Sequence, residues 1–397
     1  MTVPAPFRVL TQPTRTVAGV MSGTSLDGID VVVARLAGSG RALTVDLLGH
    51  AHTPYPAPLR QLLLQHSVPA GSSVRALSQL NVRLAHLYAE AVLNALGAAS
   101  LSPDTLDLIG CHGQTVHHVP EAADCAGSAV TSTLQLGDPS VLAAQLDVPV
   151  VAHFREADMA LGGQGAPLVP YFDYIRFVHE QETRGLLNLG GIANLTVLPA
   201  GGDATTVFAF DTGPANMVID QLAQRLLGTD SDLDGATAAQ GTADVSVLAT
   251  LLEAPYFQQP PPRSTGREAF GADYVDALLD LMPEDTGPAD VLATATGLAA
   301  LSVYQAYAQF VRDRHALDVV IASGGGVHNQ ALMARLRTSF APIPVRTTAD
   351  YGTDPDHKEA LCFAILAHEF CNGVPTSLPG VTGARRATLL GQLTVPG

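Results

Sequence analysis

The feature that most limits the fold of this chain is an order of elements written twice. Residues 16–51 read as three strands, TVAGVMSG, IDVVVARLAG and ALTVDLLGHA, with the turn TSLDG between the first two. From residue 185 the same order returns as GLLNLGG, IANLTVLPA and TVFAFDTG. Valine- and leucine-rich runs bounded by glycine turns are the pattern of strands in hairpins. In the first copy a long helix follows over residues 73–96, where Val74, Leu77, Leu80, Leu84, Leu87, Ala91 and Val92 recur at helical spacing. The strand LDLIGCHGQT, the hairpin arm TLQLGD, a helix over 140–146 and the strand VPVVAHF complete it. In the second copy, helices near 245–253, 272–281 and 296–312 precede the strands LDVVIASGGG and PIPVRTTA. This is one βββαβαβ-like lobe duplicated, not a solenoid of short units. Each copy carries a glycine turn between its first two strands and a polar loop after its fourth, His112-Gly113-Gln114 in one and Gly324-Gly325-Gly326 in the other.

The expectation is an α/β protein of two lobes that face each other across a central cleft. With 397 residues the chain is long enough for two cores. The boundary falls where EQETR (180–184) interrupts two apolar stretches, giving lobes of residues 1–180 and 181–374, with the tail 375–397 packing back on the first.

Charge and residue usage exclude several functions. The net charge is −16, and the single lysine is Lys358, so no phosphate loop ending in Gly-Lys-Ser/Thr and no protein-kinase strand lysine exists here. The only tight basic pair is Arg385-Arg386, which argues against a nucleic-acid partner. Four cysteines without CxxC spacing fit reduced thiols, and no run approaches the ~20 apolar residues that span a bilayer. The expected location is the cytoplasm.

Five places carry residues suited to chemistry. In Ser22-Gly23-Thr24-Ser25-Leu26-Asp27-Gly28, consecutive amides can form an anion nest without lysine, and Asp27 or Asp30 could hold Mg²⁺ directly or through water; a plain hairpin turn reads the same residues equally well. Its recurrence as Gly190-Gly191 favours the nest. Asp211 follows an apolar strand, where open α/β sheets bind ligands, and reads as a catalytic or metal-linked carboxylate or as a helix N-cap. Gly324-Gly325-Gly326, leading into His328-Asn329, clears room for a flat base or ribose. His112, Gln114, Thr115 and Arg155 offer polar contacts to a substrate; a zinc site is disfavoured because no Cys/His cluster completes four ligands. Glu359 opens an apolar helix beside Lys358, and a first-turn glutamate also suits the helix dipole.

The strings GVMSGTSLDGID, GCHGQTVHH, HFREADMALGGQGAPLVP, LNLGGIANLT, FDTGPANMVID, RSTGREAF, SGGGVHN, KEALCFAILA and PGVTGA together resemble the anhydro-N-acetylmuramic acid kinase family, from about Gly19 to Leu390. The resemblance implies two duplicated ribonuclease-H-like lobes around a central ATP and substrate cleft, in a cytoplasmic bacterial enzyme. The implied reaction opens the 1,6-anhydro ring of the amino sugar with water and phosphorylates O6 from ATP with Mg²⁺, as a step of cell-wall recycling. Gly23, Thr24, Ser25, Leu26, Asp27, Gly28, Ile29 and Asp30 match the first phosphate loop, with Asp27 near Mg²⁺ through water. Gly190 and Gly191 match the second, and Gly324, Gly325, Gly326 and Asn329 an adenosine loop. Asp211 matches the aspartate that deprotonates the attacking water, Glu359 an acidic residue at the sugar, and Gln114, Thr115 and Arg155 substrate-binding positions. Related enzymes point to a homodimer. Ala215, where a glycine is common, and Glu156, where a basic residue is common, depart from the pattern. The competing expectations are a kinase of the same fold without ring hydrolysis and a nucleotide-gated binding protein.

Overall fold

The computed structural model describes residues 4–23, 25–68 and 71–397. The chain forms two compact units. The first comprises Met1–Arg176 and His357–Gly397, the second Phe177–Asp356.

In the first unit, strands β1 (Thr14–Ser22), β2 (Gly28–Ala37) and β3 (Thr44–Pro54) form an antiparallel meander. β4 (Leu108–Cys125) runs parallel to β1 and to β6 (Val150–Ala152), and β5 (Ser128–Leu136) is a hairpin arm on β4. The C-terminal strand Gln392–Thr394 closes the edge antiparallel to β6. β1 is buried along most of its length because both faces of the sheet are covered, the pattern expected of sheets flanked by helices. Helix Val74–Ala98, capped by the Ser73 hydroxyl, lies against β2 and β3.

The other face is covered by helix Lys358–Cys371, which packs on β1, β2 and β4. Gly19 and Gly110 are paired across β1 and β4, and a Cβ on either would fall 1.9 Å from the Ala360 carbonyl oxygen and 2.1 Å from that of Phe363. The helix backbone rests directly on this two-glycine saddle. The chain therefore returns to the first unit at His357, where the sequence reading had it return at residue 375. The difference has a physical cause: residues 360–369 of this helix are all buried, so no polar face in the sequence tells which sheet it covers.

The second unit repeats the plan. β7 (Arg184–Leu189), β8 (Ile192–Leu198) and β9 (Phe208–Pro214) form the meander, and β10 (Val319–Ser323) and β11 (Val345–Thr347) add in parallel on the other side of β7. The sheet order β11-β10-β7-β8-β9 matches β6-β4-β1-β2-β3 strand for strand. Helix Pro288–Phe310 begins eight residues before the expected 296 and fills the core of this unit. Among the described residues it is the one helix long and apolar enough to cross a membrane, but 78% of its apolar window is buried inside the protein.

Candidate active site

In the first unit the loop between β1 and β2 divides into an inward and an outward set. Leu26 takes a left-handed conformation (φ +57°) and buries its side chain in the core, and its amide donates to the Gly23 carbonyl. Gly28 and Ile29 also face inward: a Cβ on Gly28 would lie 2.5 Å from the Thr53 carbonyl oxygen, and Ile29 is a core residue. Ser25 and Asp27 face outward, with Asp27 Oδ1 accepting from the Ser25 hydroxyl (2.8 Å) and the Gly28 amide (3.0 Å). Gly23 meets nothing nearer than 3.5 Å, so internal packing does not demand a glycine there. Asp30 lies 2.7 Å from His52 Nδ1. Thr24 lies outside the described residues.

Beneath this loop sits Gln114, which is fully buried: its Nε2 donates to the Gly23 carbonyl (3.0 Å) and its Oε1 accepts from the Tyr55 hydroxyl (3.2 Å). The sequence reading placed Gln114 among substrate contacts; its amide is instead committed to holding the glycine loop. Thr115 is half-buried and its Oγ1 accepts from Gln135 Nε2 at 3.2 Å, which leaves its own proton to donate.

Arg155, one residue past Phe154 behind β6, is held by neutral groups. Its Nη2 and Nε donate to His112 Nε2 at 2.7 and 3.3 Å, and its Nη1 to the Gly165 carbonyl at 2.8 Å. Burial and the neighbouring guanidinium keep His112 well below the usual imidazole range, so it is the neutral acceptor this geometry needs. The glycine run 162–165 is shaped by buried Asp158, which accepts from the Gly165 amide (2.9 Å) and the Thr382 hydroxyl (2.7 Å). Glu156 accepts from the Arg155 amide and lies 3.0 Å from His153 Nδ1. Glu359 stands in the first turn of helix Lys358–Cys371; burial raises its pKa, opposed by Lys358 and Arg155 and reinforced by Asp30 and Asp27. Lys358 is buried, with Nζ 2.7 Å from Asp173 Oδ1.

In the second unit the two glycine loops converge. Ser323 of β10 pairs with Asn188 of β7, which sets Gly324-Gly325-Gly326 beside the 189–191 turn. Gly324 has φ +81°, and a Cβ there would fall 2.6 Å from Asn188 Oδ1; on Gly326 it would fall 2.6 Å from the Leu189 Cβ. Gly325 is different, with only Asn216 Nδ2 at 3.9 Å, so its missing side chain leaves open space. The Gly190 and Gly191 carbonyls accept from the amides of Asn216, Ala215 and Met217, which ties this turn to helix Asn216–Leu226. Asn329 was expected at the nucleotide; its buried side chain caps helix Gln330–Phe340 by accepting from the Leu332 amide at 2.9 Å.

Asp211 lies within β9, four residues before the next helix ends its lead-in at Ala215, so the N-cap reading does not apply. Its Oδ2 accepts from the Thr265 amide at 2.9 Å, and among the described residues no other group bonds the carboxylate. Its main chain is held too, with the amide donating to the Arg263 carbonyl (3.1 Å) and the carbonyl accepting from Arg263 Nε (2.9 Å) and the Tyr256 hydroxyl (3.0 Å). Burial pushes the Asp211 carboxyl up to about 6, against the pull of the Thr265 amide and Arg263 and with Glu268 adding to the rise. Tyr256, Arg263 and Thr265 were not among the expected site residues. The string RSTGREAF holds Arg263 and Thr265, but its spacing alone does not show that it folds over β9, and Tyr256 lies upstream of it with no signal of its own.

The two units share one strand order, each carries glycine turns at its sheet, and Asp211 is a half-buried carboxylate within β9 of the second. The chain belongs to the anhydro-N-acetylmuramic acid kinase family, whose model matches residues 15–396. It is 59% identical to the anhydro-N-acetylmuramic acid kinase of Salinibacter ruber, over 96% of this chain and 97% of that one. The protein of the same name from Caldanaerobacter subterraneus is 40% identical, over 98% and 99%. Among solved structures, component A of the (R)-2-hydroxyglutaryl-CoA dehydratase of Acidaminococcus fermentans aligns over 90% of this chain and 99% of its own, at a TM-score of 0.46 and 12% identity.

Proposed function

We propose that this chain is an ATP-dependent kinase that opens the 1,6-anhydro ring of anhydro-N-acetylmuramic acid with water and phosphorylates O6. The products are N-acetylmuramic acid 6-phosphate and ADP, and the setting is cell-wall recycling in the bacterial cytoplasm. The observation that carries the reading is Asp211: a carboxylate with one oxygen fixed by the Thr265 amide, the other unbonded among the described residues, and a pKa of about 6. At neutral pH such a group is ionised and still basic enough to take a proton from water, which is what a general base requires.

The remaining residues divide the work of binding. Arg155, oriented by His112 and Gly165, and the Thr115 hydroxyl supply donors to the sugar. Glu359, raised by burial, receives a hydrogen bond from the sugar near the reacting water or donates one when protonated. Gly23, Ser25 and Asp27 in one loop, and Gly190, Gly191 and Gly325 in the others, hold the nucleotide phosphates and adenosine through backbone amides, with no lysine needed. The residues fit this assignment, because Gly23 and Gly325 lack side chains that internal packing does not forbid. The exposed Asp27 carboxylate suits a contact through water to an ion held mainly by phosphates. When bound, Mg²⁺ neutralises charge on the transferring phosphoryl group. A homodimer belongs to the same reading and is checked by sedimentation.

The test is ADP formation with and without the anhydro sugar. The reading requires sugar-dependent ADP release that Asp211→Asn abolishes while ATP binding persists. Sugar-independent hydrolysis as the sole activity would point to a nucleotide-gated binding protein.

A further inference from the structure

We propose that Arg263 is the positioning residue for Asp211, a bracket that fixes the base's main chain and whose charge acts on its carboxylate. The proposal rests on the reading of Asp211 as the base.

The guanidinium is buried and uses its whole fork on main-chain carbonyls. Nε donates to Asp211 O (2.9 Å), Nη2 to Thr212 O (3.4 Å), and Nη1 to Tyr256 O (3.0 Å) and Gln259 O (2.7 Å). The rings of Tyr256, Phe310 and Phe210 lie 4.9, 5.3 and 5.7 Å from its central carbon. The carbonyl of Arg263 in turn accepts the Asp211 amide (3.1 Å), and two residues on, the Thr265 amide takes Asp211 Oδ2 (2.9 Å). One short segment thus grips the base at its amide, its carbonyl and its carboxylate. The run Gln259-Pro260-Pro261-Pro262 leads directly into this segment.

A purely structural staple would need the donors but not the charge. The guanidinium's bonds all go to neutral carbonyls, so its positive charge is left to act on the carboxylate of Asp211; the other groups acting on that carboxylate are the Thr265 amide and Glu268, with the Tyr256 ring alongside. Lysine keeps the charge but cannot span four carbonyls with one nitrogen.

The experiment compares Arg263→Met, Arg263→Lys and Asp211→Asn with the wild type by melting temperature, by ATP affinity and by the pH profile of kcat/KM for the sugar. Arg263→Met is expected to lower kcat on the order of 10²-fold through misplacement of the base. It should also move the acid limb of the profile to higher pH, because loss of the cation disfavours the carboxylate, with ATP affinity unchanged. Arg263→Lys returns the limb to its wild-type position while kcat stays reduced. An Arg263→Met protein with wild-type limb and kcat overturns the proposal, as does a lysine variant at full kcat; the lysine variant decides alone if the methionine variant does not fold. Asp211→Asn at wild-type turnover overturns the base reading itself, a separate outcome.

Discussion

The chain's one lysine offers the sharpest stability test. Lys358 Nζ lies 2.7 Å from Asp173 Oδ1 and the two side chains are 2% and 4% exposed. The pair joins helix Val169–Phe177, at whose end the chain leaves the first unit, to helix Lys358–Cys371, with which it re-enters. At that separation and an effective dielectric of about 20, the attraction is roughly 6 kcal/mol before desolvation is subtracted. Replacing Lys358 by Met keeps the stem but strands a buried carboxylate, and breaking such a pair costs about 3–5 kcal/mol. For a unit of this size each kcal/mol moves the midpoint by about 2–4 °C, so Lys358→Met should melt roughly 6–20 °C below wild type in a circular-dichroism scan. Replacing both partners, Asp173→Leu with Lys358→Met, should recover most of that loss, since an apolar pair of similar volume is often neutral or better. Below its transition the single variant should retain most activity, because the lysine's bond is to Asp173, although losing its charge lets the Glu359 carboxyl rise further. A midpoint within about 2 °C of wild type, or a double variant no better than the single, would refute the reasoning.

Asp211→Asn should lower turnover by about 10²–10⁴-fold, the usual worth of a general base, and leave ATP binding intact by calorimetry. The same variant should be more stable than wild type at neutral pH. A carboxyl raised from 3.8 to about 6 in the fold costs stability as pH climbs between those values, so the advantage should appear above pH 6 and vanish below 3.8. For the wild type, kcat/KM for the sugar should fall as pH drops through about 6. Gly326→Ala should lower the melting midpoint by overpacking against Leu189, at about 1–3 kcal/mol, whereas Gly325→Ala should melt normally and raise the KM for ATP. The reverse order in the two glycine variants would contradict the assignment of Gly325 to the ligand side.

Much of this architecture was readable because it rests on local chemistry. The strands of both meanders follow from apolar runs between glycine turns, and Asp211 stands out because an aspartate inside the apolar run FAFDTG has no packing reason to be there. What escaped depends on partners distant in sequence. Gln114 and Asn329 are polar residues beside glycine loops, and nothing in their neighbourhood tells that one supports the Gly23 carbonyl and the other caps its own helix. The Gly19 and Gly110 saddle that seats helix Lys358–Cys371 exists only once β1 and β4 are in register. Arg263 reaches Asp211 across 52 residues through a segment with no periodicity at all.

The central claim is a coupled ring opening and phosphorylation. The most direct test incubates the protein with ATP, Mg²⁺ and the anhydro sugar in ¹⁸O-labelled water and reads the product by mass. The account requires one product that has gained both a water and a phosphoryl group, with the label on C1. A product that gains phosphate without water, or one whose C1 carries no label, would contradict it.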